Sequence, residues 1–233
     1  MANDVTTENF EEWNEAMIRE FDPDDYHNHP SPIVRLIERR RVDKILEELQ
    51  VRPGSKVLEV GCGAGNILER ISDAELHGVD ISDYIIEKAR KRLGRRATII
   101  KGDAEALPYE DQSFDRVYCS EVLEHVLNPE KVIAEMRRVL THNGVAVVSV
   151  PNEAVINRLK QVVFRTGPIG RFILQADKEG YESVENMEDH WHLHEFDEAL
   201  LREKIGDSFA VEVIHAVPVR GLPLRLVAKL RPR

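Results

Sequence analysis

Cysteine is nearly absent from this chain of 233 residues, with Cys62 and Cys119 the two present. A disulfide framework is therefore excluded, and such cysteine usage fits a reducing compartment. Aromatic residues are scarce at 6%, so aliphatic side chains must fill the core. Long apolar runs are missing as well. The longest is Val145–Val148, broken by Ser149, and a membrane-spanning helix needs roughly 18 such residues. Met1–Glu20 is acidic and has no apolar stretch, so no secretory signal is expected. Positive charge is in deficit, because 32 Lys and Arg against 42 Asp and Glu give a net charge of −10. A phosphate backbone demands a basic footprint, which disfavours general nucleic-acid binding. These absences together predict a soluble, cytoplasmic protein.

What is present is unevenly placed. The first 25 residues hold nine acids and one base, Arg19, and so contribute −8 of the total, leaving −2 for the rest. They also hold Phe10, Trp13, Met17, Ile18 and Phe21. A disordered tail is poor in aromatics, so this stretch predicts a short helix folded back over the body. Ser31-Pro32 opens a second helix as cap and first turn, with Val34, Ile37, Val42, Ile45, Leu46 and Leu49 at helical spacing. Residues 1–50 thus read as a helical cap. Arg39, Arg40 and Arg41 read as a solvated face, from which one Arg, or His27 or His29, could reach an anionic group at the site.

From residue 51 on, short apolar runs alternate with helical stretches. Strands are expected at Lys56–Val60, Leu76–Val79, Ala97–Ile100, Asp115–Cys119 and Gly144–Val150. Helices are expected near Asn66–Ile71, at Ser82–Leu93 and at Pro129–Leu140. A helix at Glu198–Ile205 and strands at Val211–His215 and Leu224–Leu230 close the chain. Such alternation predicts an α/β fold with a parallel, doubly wound sheet.

The first βα turn reads Glu59-Val-Gly61-Cys62-Gly63-Ala-Gly65-Asn66. Glycines allow a tight turn and let backbone N–H groups approach a ligand. The dinucleotide pattern is G-x-G-x-x-G, whereas this chain has G-x-G-x-G. Asp80, with Ile81 after it, ends the second strand, where an acid can accept bonds from ribose hydroxyls. Asp103-Ala104-Glu105 follows the third strand, where an adenine amino group can be met. Three such places at the carboxyl ends of successive strands point to a nucleotide-like ligand.

VLEVGCGAG, HGVD, GDAEALPYEDQSFDRVYCSEVLEHV and LTHNGVAVVSVPN together resemble the successive motifs of class I S-adenosylmethionine-dependent methyltransferases. The pattern is most similar to the ubiquinone-biosynthesis O-methyltransferases, and it spans about Arg52 to Asn152. The resemblance implies a Rossmann-like seven-stranded sheet of order 3-2-1-4-5-7-6, helices on both faces and a methyltransferase domain over 51–233. It also implies that Glu59, Gly61, Cys62, Gly63 and Asn66 shape the methionine pocket. Asp80 and Ile81 would hold the ribose, and Asp103, Ala104 and Glu105 the adenine. Ser120 and Glu121 would stand beside the sulfonium. Methyl transfer needs positioning of donor and acceptor and, for a hydroxyl acceptor, removal of a proton.

Glu121, Glu124 and His125 end the fourth strand, and His190, His192 and His194 follow at alternate positions. Three readings of this cluster stand side by side. Glu121, Glu124, His125 and His192 can hold a divalent metal such as Mg or Zn. The metal would lower the pKa of an acceptor hydroxyl. Alternatively His125 or His192, with Glu121, serves as a metal-free base. In the third reading the histidines merely border the pocket. Residues 152–195 occupy the place of a lid insertion, and 154–175 mix apolar side chains with Arg158, Lys160, Arg165 and Arg171. That stretch reads as a lid helix or as a peripheral membrane contact.

The expected activity is methyl transfer to a hydroxyl of a small-molecule or lipid-like acceptor. The rivals are an RNA-end 2′-O-methyltransferase, a NAD-dependent oxidoreductase and a non-catalytic cofactor-binding protein. Net charge counts against the first and the glycine spacing against the second.

Overall fold

The computed structural model describes residues 5–22, 24, 31–165 and 191–233, with the backbone alone at 160 and 162–165. Most of the expected lid, His190 and the distal part of 154–175 lie outside the described residues. Two helices come first, α1 (Phe10–Glu20) and α2 (Pro32–Leu49). There follow β1 (Lys56–Val60), β2 (Glu75–Asp80), α3 (Asp83–Leu93), β3 (Ala97–Lys101), β4 (Phe114–Ser120), α4 (Pro129–Val139) and β5 (Leu140–Pro151). The chain ends with α5 (Glu153–Arg165), α6 (Glu198–Ile205), β6 (Phe209–Val219) and β7 (Leu222–Pro232).

The seven strands form one sheet in the order β3-β2-β1-β4-β5-β7-β6, as the resemblance implied. β1 to β5 run parallel, and β7 is antiparallel to both β5 and β6. Side chains alternate across each strand, and this alternation divides the core. Leu58, Val60, Val117, Cys119, Ala146 and Val148 face one layer with Ile133 and Met136 of α4 and Leu201 of α6. Val57, Tyr118, Val145 and Val147 face the other with Val42, Ile45 and Leu49 of α2 and Ile86 and Ala89 of α3. Each Val, Leu, Ile or Met among them, taken wholly from water, contributes about 1.5–3 kcal/mol. Cys62 and Cys119 are both free and buried, and they belong to these two different layers.

Two local expectations are corrected. The helix expected near Asn66–Ile71 is a single 3-10 turn, Leu68–Arg70. Arg70 and Ile71 donate to the carbonyls three residues back, Ile67 and Leu68, and the chain turns extended at Ile71. β5 begins at Leu140 rather than Gly144, because the chain leaves α4 in extended geometry and pairs Leu140 with Phe114 across a bulge. The loop-like letters Thr141-His142-Asn143 hid that pairing.

α2 runs opposite to β4. Its Arg41 reaches Ser120 at the carboxyl end of β4, while the Gln50 carbonyl accepts from Arg116 near its start. α2 therefore packs on a sheet face, and α1 alone of the two lies over the strand ends. Ile18 of α1 clusters with Ala64 of the glycine turn and Ile85, with Tyr84 and Trp191 packed around them. The acids of the N-terminal stretch clamp it there. Asp22 pairs with Lys88 and accepts from Tyr84 at 2.8 Å. Asp24 accepts from Arg92 and from Asn66, each at 2.9 Å, and Glu11 meets Lys101 at 2.6 Å. Three of the nine acids of the first 25 residues are thus matched by bases of α3 and β3. No helix among the described residues is long and apolar enough to cross a membrane.

Candidate active site

Parallel register brings the carboxyl ends of β1, β2 and β4 level, since Val60 pairs with both Val79 and Cys119. The glycine turn, Asp80 and Ser120 therefore open onto one mouth, where ligands of open α/β sheets bind. Gly61 has φ +68, and a Cβ there would stand 2.3 Å from Val122 Cγ2, so no other residue fits. Gly63 has φ +50 and nothing within 4 Å of a Cβ position, which leaves its backbone bare to the mouth. Its N–H donates to Asp80 Oδ2 at 2.9 Å, and Ser82 N–H donates to Oδ1 at 3.1 Å. Burial raises the pKa of Asp80, with those backbone donors opposing it. Glu59 is 3% exposed, and its Oε2 has no hydrogen-bond partner among the described residues. Burial drives its pKa well up, against the Tyr118 hydroxyl and Arg41.

The other residues expected at the cofactor site divide. Ile81 and Ala104 are half-buried beside the mouth and Asp103 is exposed, with its Oδ1 accepting from Glu105 N–H at 2.8 Å. Glu105 spends both carboxylate oxygens on Asn128, at 2.7 and 2.8 Å. The Asn66 amide is turned to Asp24. The Cys62 thiol is buried and its pKa pushed up by burial.

Beneath the mouth lies a charged network that composition did not reveal. Arg41, 5% exposed, grips Glu38 Oε2 through Nε and Nη2 at 3.1 and 2.6 Å. Its Nη1 donates to the hydroxyl of Ser120 and to that of Ser149, the latter at 3.4 Å. Of the three consecutive bases, Arg41 is the one in phase with Glu38, Val42 and Ile45, all buried. That spacing was the available signal. Glu121 has φ +54, a conformation uncommon without glycine. Its Oε2 meets Arg225 of β7 at 2.6 Å and its Oε1 accepts from Ser149 at 3.0 Å.

The acid–histidine cluster forms from residues far apart in the chain. The backbone N–H groups of Leu193 and His194 donate to the Glu124 carbonyl at 2.7 and 3.2 Å, and this docks residues 191–196 against the turn after β4. His125 stacks on Trp191 with ring centroids 4.0 Å apart. Its Nδ1 lies 3.2 Å from the Trp191 carbonyl; a carbonyl only accepts, so that nitrogen carries the proton. Burial lowers its pKa to about 3, with His192 adding to the shift, so the ring is neutral. His192 Nδ1 meets Glu153 Oε1 at 2.9 Å. Glu124 is 1% exposed, and its Oε2 has no hydrogen-bond partner among the described residues. Burial and then Glu121 raise its pKa to about 8. Glu124, His125 and His192 bring one ligand atom each within 4.8 Å of one another. Glu121, expected with them, is held in the ion pair with Arg225. His194 does not join either, because its Nε2 donates to the Val126 carbonyl at 2.9 Å. Sequence reasoning missed Glu153, Trp191, Ser149 and Arg225.

Comparison with known proteins agrees with this geometry. Residues 58–148 match the family model described as methyltransferase domain. The chain is 38% identical over 129 residues to methyltransferase GfsG of Streptomyces halstedii, covering 51% of this chain and 46% of that protein. It is 31% identical over 150 residues to a demethylmenaquinone methyltransferase of Staphylococcus aureus, covering 60% and 62%. The chain spans about half the length, or less, of the first curated relatives it matches. The crystal structure of the PH0226 protein of Pyrococcus horikoshii shares the fold at a TM-score of 0.64. That match has 23% identity and covers 90% of this chain and 95% of the other. The glycine turn and Asp80 lie within residues 58–148, the stretch of the chain that is similar to a methyltransferase domain, and the sheet order is the one that the resemblance to such domains implied.

Proposed function

We propose that this protein transfers a methyl group from S-adenosylmethionine to a hydroxyl oxygen of a small or lipid-like acceptor. The observation that carries the hydroxyl is the His192–Glu153 pair beside His125 at the mouth. When bound, the cofactor supplies an electrophilic methyl on its sulfonium. Gly63 has open space at its Cβ position toward it, Asp80 retains acceptor capacity for ribose hydroxyls, and the unpartnered Glu59 Oε2 marks a polar place in the pocket wall. Glu153 facing Nδ1 fixes the Nδ1–H tautomer of His192 and stabilises its charged form. An imidazole so held would take the proton of an acceptor hydroxyl as that oxygen is methylated. His125, too weak a base at a pKa of about 3, borders the site and positions His192. A demethylmenaquinone methyltransferase among the relatives supports an acceptor of the lipid-like kind.

Calorimetry tests the cofactor, with S-adenosylhomocysteine binding and NAD inert as the expected result. The reverse would overturn the reading. Turnover of labelled methyl donor against a panel of phenols, quinols and their N- and C-acceptor analogues tests the atom. Transfer confined to nitrogen or carbon would refute the hydroxyl.

A second reading rests on the convergence of Glu124, His125 and His192. His125 turns Nδ1 to the Trp191 carbonyl, His192 turns Nδ1 to Glu153, and Glu124 Oε2 has no hydrogen-bond partner among the described residues. Two imidazoles and a carboxylate, with Glu153 behind one ring, suit a divalent transition metal or zinc. Such an ion would acidify the acceptor hydroxyl. Loss of turnover in chelator, restored by Mn²⁺ or Zn²⁺, supports this reading, and full turnover in chelator leaves His192 as the base.

A further inference from the structure

Five large hydrophobic residues are exposed among the described ones: Phe21, Ile33, Leu36, Val219 and Leu222. Scattered singly they would be ordinary, but the fold gathers four of them at one place. Arg41 marks the level of the mouth on α2. At a 1.5 Å rise per residue, Ile33 and Leu36 stand about 7–12 Å beyond it, outside the strand ends. Arg225, paired with Glu121 and in register with Pro151, marks the same level on β7. The tip of the β6–β7 hairpin, Val219 to Leu222, therefore projects beyond the mouth as well.

The two elements adjoin. Ile33, Leu36 and Arg40 share one helix face by their spacing, and Arg40 Nη1 donates to the Pro218 carbonyl at 3.4 Å, just before the hairpin tip. Ile33, Leu36 and Val219 are 53%, 51% and 50% exposed. Exposed bases stand among them, Arg35, Arg39, Arg40 and Arg220. Arg39 lies 4.0 Å from Asp43, but Arg40 and Arg220 form no ion pair among the described residues. In a chain of net charge −10, a rim that combines exposed apolar side chains with unneutralised arginines is a local reversal.

We propose that this rim docks the protein on an anionic bilayer, with the mouth facing the headgroups. Apolar tips flanked by Arg are the composition of an interfacial contact. A second copy fits the rim less well, because a two-fold contact sets the same surface against itself and so sets one Arg-bearing patch against another. The proposal extends the lipid-like acceptor favoured above and rests on that reading for its purpose. Its test reads binding alone, so either can fail without the other.

The test is sedimentation of the full chain with vesicles of phosphatidylcholine, alone or mixed with phosphatidylglycerol. Binding is expected to the mixed vesicles only and to weaken as salt screens the charges. At about fivefold per base near a charged surface, Arg40→Gln with Arg220→Gln should lower the partition coefficient roughly thirtyfold. Leu36→Ser with Val219→Ser should also release the protein. Both variants should retain S-adenosylhomocysteine affinity, which shows that they fold. No binding to mixed vesicles overturns the proposal, and so does binding indifferent to the arginines. A dimer in ultracentrifugation that Leu36→Ser with Val219→Ser dissolves would assign the rim to a second copy instead.

Discussion

Replacing Arg41 by Met is expected to cost about 3–5 kcal/mol of folding stability, the usual penalty for removing one partner of a buried pair. The side chains of Arg41 and Glu38 are each 6% exposed and 2.6 Å apart. Without the guanidinium, Glu38 keeps its desolvation and loses its main compensation. The Ser120 and Ser149 hydroxyls lose a shared charged donor at the same time. The neighbouring Arg39 is the internal control. Its side chain is 79% exposed and 4.0 Å from Asp43, so Arg39→Met should change stability by no more than about 0.5 kcal/mol. A matched apolar pair avoids the desolvation altogether, so Glu38→Leu with Arg41→Met should recover much of the loss. Urea unfolding followed by the fluorescence of Trp13 and Trp191 measures the wild type, Arg39→Met, Arg41→Met, Glu38→Leu alone and the double variant. A loss below about 1 kcal/mol for Arg41→Met, or a double variant as unstable as the two singles added, would refute the reasoning.

Asp80→Ala should weaken S-adenosylhomocysteine binding by about 1–3 kcal/mol through lost hydrogen bonds to a desolvated partner; an unchanged calorimetric affinity would remove Asp80 from the ribose site. Glu153→Gln should lower kcat about tenfold to a hundredfold. An unchanged kcat would reduce Glu153 to scaffolding. Acid should release the N-terminal helix. Burial opposes the charge on Asp22 and Asp24, but Lys88 and Tyr84 for the first, and Asn66 and Arg92 for the second, outweigh it and hold both below 3.8. Their contribution is therefore present above pH 3.8 and lost as pH falls through the lower folded values. Limited acid proteolysis across that window should cut near Glu20 before the sheet unfolds, and simultaneous loss of both would be contrary to a separate cap.

The chain's local grammar carried most of the fold. Strand–helix alternation, the glycine turn and the helix expected from Ser82 depend on neighbouring residues, and in the structure Ser82 caps that helix by accepting from Ile85 N–H. The same grammar failed at Leu140–Asn143, where a polar stretch is extended because Phe114 lies alongside it. It failed also at Asn66–Ile71, where the chain makes one 3-10 turn and is extended again at Ile71. The N-terminal acids read as a folded-back segment, and the clamps to Lys88, Arg92 and Lys101 explain their charge.

By itself, the sequence determined the layered α/β class, the position of the glycine turn and the placement of Asp80, because periodicity and turn chemistry are properties of short windows. Only the tertiary structure decided which base of three adjacent arginines is buried, because that depends on the helix's phase against the sheet. It alone brought His192 to His125, Glu153 to His192 and Arg225 to Glu121. These pairs join separate segments, and what unites them is the level at which parallel strands end.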